Sequence, residues 1–120
     1  MSIPNLQDGL READRKHIAL GHFNFSDIVV LKAVGEAHQF RAPVLVGVSE
    51  SEREFLGIAQ AVALVRSIRD EWEMPIYRNA DHTHSLEKAL EAAEAGFDVI
   101  VFDASTHAFE TTMCCKPGKQ

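Results

Sequence analysis

The feature that most limits the fold of this chain is a regular alternation of strand-like and helix-like segments. Apolar runs, typical of strands covered on both faces, fall at residues 17–25, 43–49, 75–81 and 98–105. Helical periodicity fills the intervals, and a short polar helix is predicted at residues 5–16, ahead of the first strand. The sequence therefore predicts an α/β fold made of four parallel βα units.

The chain also carries signals for where its helices begin and end. Ser26 is predicted to cap the helix after the first strand, and Ser85 the helix after the third. Apolar residues three or four positions apart across residues 51–73 predict one long helix. Gly96 fits the left-handed turn that ends a helix. The expected buried stripes of the two later helices include Phe55, Leu86 and Leu90.

Two architectures accommodate four such units. They can form an open doubly wound sheet, or they can be the N-terminal half of a (β/α)8 TIM barrel, which needs about 250 residues. In either case the chemistry is expected at the carboxyl ends of the strands. Polar side chains follow all four predicted strands: Asn24, Ser49, Asp81 with His82 and His84, and Asp103 with Ser105.

Charge and composition exclude several classes of function. The net charge is −6 and the pI is about 5.4, so a broad basic surface for nucleic acid is not expected. The first twenty residues are too charged for a signal peptide, and no apolar run approaches the ~20 residues that span a bilayer. We therefore expect a cytoplasmic protein without nucleic-acid or membrane partners. The adjacent Cys114 and Cys115 indicate neither a disulfide framework nor a structural zinc site.

The strongest local signal is the segment NADHTHS at residues 79–85, where a strand runs into a polar turn. If the turn is extended, alternation places His82 and His84 on one side as metal ligands, and Asp81 points elsewhere, free for proton transfer. The alternative is an exposed loop in which Asp81 caps a turn. Asp103 ends the fourth apolar run and is either a second site residue or a turn aspartate that binds backbone amides.

At these residues the sequence resembles a known family. The segments that carry the resemblance are GHFNF (21–25), PVLVGVS (43–49), NADHTHS (79–85) and AGFD (95–98), the last running into FDAS (102–105). In order and spacing they resemble the class II fructose-bisphosphate aldolases and the related tagatose-bisphosphate aldolases, from residue 2 to about residue 110.

The resemblance implies a homo-oligomeric zinc lyase that cleaves a ketose 1,6-bisphosphate into dihydroxyacetone phosphate and glyceraldehyde 3-phosphate. Asp81 matches the catalytic acid/base of that family, and His82 matches its first Zn²⁺ ligand. Asp103 matches a carboxylate of the second metal position. Ser49 and Asn24 match substrate-binding residues.

Departures from the family pattern limit what this chain is expected to do. The other two zinc-binding histidines, a glutamate ligand and the glycine-rich phosphate loops of the family belong to later strands, and Ala104 stands where the family usually has glycine. We expect a partial barrel at residues 1–110, inactive alone. Residues 111–120 (TTMCCKPGKQ) are predicted to be an aberrant tail, typical of a frameshifted or truncated reading frame.

Two other interpretations stay open at this level. The chain could be a non-catalytic half-barrel module that pairs with another half. It could also be a different metal-dependent hydrolase that uses the pair His82-x-His84. The HxH pair of amidohydrolase barrels usually follows the first strand, whereas here it follows the third, which counts against the hydrolase.

Overall fold

A computed structural model describes residues 2–108 of the chain. Its helices and strands follow in the order α1 (Leu6–Arg15), β1 (Gly21–Asn24), α2 (Ile28–Gly35), a 3₁₀ helix (Glu36–Phe40), β2 (Val44–Ser49), α3 (Glu50–Leu56), α4 (Ile58–Trp72), β3 (Ile76–Thr83), α5 (Leu86–Ala95) and β4 (Val99–Phe102). The predicted tail at residues 111–120 lies outside the described residues.

The four strands form one sheet in the order β1-β2-β3-β4, and every pair is parallel. Each strand therefore pairs with the next one along the chain, through a helical crossover. The four parallel βα units predicted from the sequence are confirmed. No helix in the described part of the chain is both long and apolar enough to cross a membrane.

The apolar core lies on one face of the sheet. Val44, Val46 and Val48 of β2 are buried there among side chains of α2 and α4, which include the buried Leu31, Val65 and Ile68. Because side chains alternate along a strand, Leu45, Gly47 and Ser49 lie on the opposite face. Helix α1 covers the amino end of that second face, where the hydroxyl of buried Tyr77 donates to the carbonyl oxygen of Pro4 at 3.3 Å.

Several predicted boundaries are wrong by a few residues. Strand β1 is shorter than residues 17–25, because His17 has a left-handed backbone (φ 54°) in the turn after α1. Asp27 rather than Ser26 caps α2, because its carboxylate reaches the backbone N–H of Val30 at 2.9 Å. The predicted caps at Ser85 and Gly96 are confirmed.

The prediction of one long helix at residues 51–73 is also wrong. Gly57 has φ 93° and ψ 128°, so α3 ends and α4 begins at this residue. The break turns Phe55 outward, and its side chain is 91% exposed rather than buried. On α5 the buried residue is Ala92, and Leu86 and Leu90 are exposed, so the expected stripe on that helix is wrong as well.

Candidate active site at the carboxyl edge of the sheet

The parallel sheet brings the five predicted site residues to one edge. Ser49 and Asp81 are register partners at the ends of β2 and β3. Asp103 directly follows β4, and its N–H donates to the carbonyl oxygen of Thr83 at 2.7 Å. Asn24 ends β1 and pairs with Gly47. Ser49, Asp81 and Asp103 therefore lie on neighbouring strand ends, with Asn24 further along the edge.

The end of β3 is irregular, and this changes the relation between Asp81 and His82. His82 has a left-handed backbone (φ 47°), and the register with β4 shifts between Ala80 and Thr83. The predicted extended alternation is therefore wrong, because Asp81 does not point away from His82. One oxygen of Asp81 accepts from the backbone N–H of His82 at 3.1 Å, and the other lies 3.7 Å from His82 Nε2. The His82 side chain is 63% exposed.

Asp103 is held as an ionised carboxylate. Hydrogen bonds from Ser105, first from its side chain and then from its backbone N–H at 2.9 Å, lower the pKa of Asp103 below its ordinary value. His84 and His82 act in the same direction, and burial opposes them. His84 Nδ1 lies 3.9 Å from the second oxygen of Asp103. The edge thus joins two carboxylates and two imidazoles across the ends of β3 and β4.

Ser49 caps a helix. Its hydroxyl accepts from the Glu52 N–H at 3.3 Å, and its own backbone N–H donates to the Glu52 carboxylate at 2.9 Å, which completes a capping box at the start of α3. The hydroxyl also donates to the same carboxylate at 2.9 Å. A substrate contact from Ser49 stays a prediction. It would use the remaining acceptor capacity of the hydroxyl.

Asn24 lies on the face of the sheet that lacks the apolar core. A Cβ at Gly47 would stand 2.8 Å from Asn24 Oδ1 and 2.6 Å from His22 Nε2. Glycine at position 47 therefore leaves room for both polar side chains of β1 to lie over β2.

Sequence reasoning missed Asn79, one strand further along the same face. Asn79 is only 4% exposed, and its Nδ2 lies 2.9 Å from His22 Nε2. Its Oδ1 is buried and has no hydrogen-bond partner among residues 2–108. An asparagine within the predicted third strand was the available signal, since buried amides normally find partners.

Sequence reasoning also missed Arg53 of α3. It is 4% exposed, and its guanidinium donates to the carbonyl oxygens of Val48 and Asp81 at 2.6 and 3.1 Å and to Thr83 Oγ1 at 3.0 Å. Burial lowers the pKa of Arg53, and nearby acidic groups, Glu50 first, oppose that shift. Arginine keeps its charge in proteins, so this is a buried cation at the site. A single long helix would have placed it on the solvent side.

The donor atoms at this edge match only part of a zinc site. An imidazole and carboxylates are ordinary zinc ligands, and a catalytic zinc usually has three protein ligands. His82 and Asp103 supply the right atom types. Within the described residues, however, no group of three or more His, Cys, Asp or Glu side chains is placed to hold a metal ion.

Parallel strands paired in chain order, with polar side chains at their carboxyl edge, are the arrangement of an α/β enzyme fold such as half of a (β/α)8 barrel. The family described as fructose-bisphosphate aldolase class-II matches residues 4–114, and the chain belongs to that family. It is 32% identical over 114 residues to a probable fructose-bisphosphate aldolase of Bacillus subtilis, an alignment that covers 92% of this chain and 40% of the relative. It is 31% identical over 106 residues to the fructose-bisphosphate aldolase of Helicobacter pylori, covering 87% of this chain and 34% of the relative. The chain thus spans about two fifths of the length of the curated relatives it matches.

Solved structures give the same architecture. The crystal structure of the YdjI aldolase from Escherichia coli K12 superposes with a TM-score of 0.76 at 23% identity, covering 91% of this chain and 42% of that one. The fructose-bisphosphate aldolase of Campylobacter jejuni gives 0.73 at 17% identity, covering 94% and 42%. The predicted fold, the N-terminal half of a TIM barrel, is confirmed.

Proposed function

We propose that this chain supplies the N-terminal half of a zinc-dependent aldolase. Its reaction is the reversible cleavage of a ketose 1,6-bisphosphate, fructose or tagatose, to dihydroxyacetone phosphate and glyceraldehyde 3-phosphate. The observation that carries the proposal is the contact between Asp81 and His82 beside the ionised Asp103, at the carboxyl edge of a sheet that belongs to the aldolase family.

Asp81 is the proposed catalytic acid/base. Its carboxylate lies at the strand end where a barrel substrate binds. Its ionised form takes the proton of the substrate hydroxyl at the bond that breaks and returns it in the reverse direction. The neighbouring N–H of His82 donates to one of its oxygens and leaves the other oriented for this transfer.

His82 and Asp103 are the residues of this chain that would hold zinc. A bound Zn²⁺ polarises a carbonyl group as a Lewis acid. Asp103 would bind the metal in its carboxylate form, which the hydrogen bonds from Ser105 favour. Asn24 and Ser49 would contact the polar substrate on the neighbouring strand ends. A homo-oligomeric assembly and a cytoplasmic location are part of the same proposal.

The proposal also requires that the 120-residue chain is inactive alone, because residues 2–108 contribute too few zinc ligands. The test is to coexpress it with the C-terminal three fifths of the Bacillus subtilis relative, and to measure cleavage of fructose and tagatose bisphosphates together with bound zinc. We expect turnover only after reassembly. Asp81→Asn should abolish turnover with zinc content near normal, and His82→Ala should lose both.

Two outcomes would contradict these assignments. Turnover by the chain alone, above that of its Asp81→Asn variant, would show that the site is already complete. Loss of zinc in Asp81→Asn, to the same extent as in His82→Ala, would mean that the roles of the two residues are wrongly divided.

The hydrolase that uses His82-x-His84 has less support. The left-handed backbone at His82 breaks the alternation that would place both rings on one side, and each ring lies beside a different aspartate. A non-catalytic half-barrel would not require the paired carboxylates and imidazoles at the edge, and the reassembly experiment separates it from the aldolase.

A further inference from the structure

The short helix α3 contacts the irregular end of β3 at several points. Its start is fixed by the capping box between Ser49 and Glu52. At the first residue of the helix, a carboxylate oxygen of Glu50 accepts from the backbone N–H of His84 at 2.8 Å. Arg53 then reaches beneath the same segment. The helix therefore holds residues 81–84 from two sides.

The guanidinium of Arg53 binds acceptors on both sides of His82. It donates to the carbonyl oxygen of Asp81 before it and to Thr83 Oγ1 after it. Its third acceptor, the carbonyl oxygen of Val48, belongs to β2 and ties these contacts to the neighbouring strand. Thr83 is fully buried and donates its own hydroxyl hydrogen to the carbonyl oxygen of Ala80 at 3.1 Å. The three contacts use the planar fork of the guanidinium, which a lysine lacks.

The segment held in this way is conformationally unfavourable by itself. His82 is a non-glycine residue at φ 47°, and such residues persist only where the surrounding structure determines their conformation. Burying an arginine is also costly, and a well-packed apolar residue commonly stabilises a fold as well or better. The buried position of Arg53, with three directed hydrogen bonds around His82, is therefore better explained by the backbone conformation that it holds than by a gain in stability.

We propose that Arg53 is a positioning residue of the active site, whose guanidinium holds Asp81–Thr83 in the conformation that sets the Asp81 and His82 side chains side by side. The catalytic meaning of this arrangement rests on the proposed function, whereas the positioning is a property of the chain itself. Glu50 and the capping box place α3 so that Arg53 can reach all three acceptors. The glycine break at Gly57 ends α3 after these contacts.

The test compares Arg53→Lys with Arg69→Lys in the full chain. Arg69 makes a matched control, because it is a partly buried arginine of α4 whose ion-pair partner, Asp70, lies on the same helix. Hydrogen exchange followed by mass spectrometry reports the backbone amides of His84 and Asp103, whose acceptors depend on this geometry. We expect exchange of peptides containing these amides to rise at least tenfold in Arg53→Lys, with exchange in α4 within twofold of the parent chain.

A spectroscopic signature separates positioning from general stability. In a chain labelled with ¹³C-histidine, the ring signal of His82 should move in Arg53→Lys and stay in place in Arg69→Lys. The ring of His38, stacked on Trp72 at 4.7 Å, serves as an internal reference that should not move in either variant. Thr83→Val removes one acceptor without touching the arginine. Thr83→Val should raise the exchange at His84 and Asp103 and move the His82 ring signal, but by less than Arg53→Lys does. The double variant should not differ from Arg53→Lys alone.

Two results would overturn the inference: unchanged exchange at residues 81–84 and 103, or an equal rise throughout the chain. If Arg53→Lys does not fold, Thr83→Val decides by the same two readouts. Zinc binding and turnover of the reassembled enzyme test the proposed function and do not enter this comparison, so the two ideas fail independently.

Discussion

Gly47→Ala tests whether the polar face of the sheet is packed as the structure has it. The new Cβ would lie 2.6 Å from His22 Nε2, 2.7 Å from His22 Cε1 and 2.8 Å from Asn24 Oδ1. Ordinary contacts of carbon begin near ~3.5 Å, so the overlap is roughly 0.7–0.9 Å. Because the β2 backbone is paired on both sides, the His22 side chain has to withdraw from Asn79.

The size of the effect follows from two opposing contributions. Loss of the 2.9 Å contact leaves the buried amide of Asn79 without its partner, which costs about 1–3 kcal/mol. Replacing glycine in a strand regains about 0.5–1 kcal/mol through the lower entropy of the unfolded chain. We therefore expect the free energy of unfolding to fall by roughly 1 kcal/mol, and by no more than about 2.5 kcal/mol.

Urea unfolding measures this change in the free energy of unfolding. It can be followed by the fluorescence of Trp72, because Trp72 is the only tryptophan of the chain. The control is a double-mutant cycle with His22→Ala. Without the imidazole, the overlap with His22 and its hydrogen bond to Asn79 are both absent, and only the overlap with Asn24 Oδ1 remains. Gly47→Ala should therefore cost at least about 1 kcal/mol less in that background. Equal costs in the two backgrounds would refute the packing of His22 over Gly47.

Three further predictions concern other parts of the molecule. Burial, then Asp98 and Asp8, raise the pKa of Tyr77, so this single tyrosine should ionise above pH ~10 in the folded chain and near 10 in urea, measured by absorbance at 295 nm. Since the folded pKa is the higher one, stability should be full below pH ~10 and fall as the pH rises through the folded value, and Tyr77→Phe should remove that fall. Gly35→Ala should lower the free energy of unfolding by about 1–3 kcal/mol and change Trp72 fluorescence, because the added methyl would overlap the indole ring. The backbone edges of β1 and β4 have no neighbouring strand in the described sheet, so the chain should self-associate in sedimentation, less so after Val101→Lys; a monodisperse monomer with a sharp melt would contradict this.

The fold could be predicted because its signals are local. The β2 run is apolar from Val44 to Val48, and Ser85 and Gly96 mark the two ends of α5 by residue type alone. Parallel pairing then follows from the helical crossovers. At Gly57 a local signal was present, but the apolar periodicity continued across it from Phe55 to Ile58 and concealed the break.

The site could be predicted only as a set of residues at one edge. The left-handed conformation of His82 has no signature in a residue that is not glycine, so the relation of its ring to Asp81 could not be derived. The burial of Arg53 depends on Thr83, thirty positions away in the sequence, and on the exact placement of α3. Such contacts are set by tertiary structure, and one sequence does not reveal them.

The core of the helix-covered face has a consequence for how the protein is made. All of its fully buried members fall between Phe25 and Ile76. These residues leave the ribosome before the ends of β3 and β4, at about 5–20 residues per second, so the core can begin to pack while the later residues are still emerging. The apolar face of the sheet would therefore be covered first, and the edge that carries Asp81 and His82 would join the packed core afterwards.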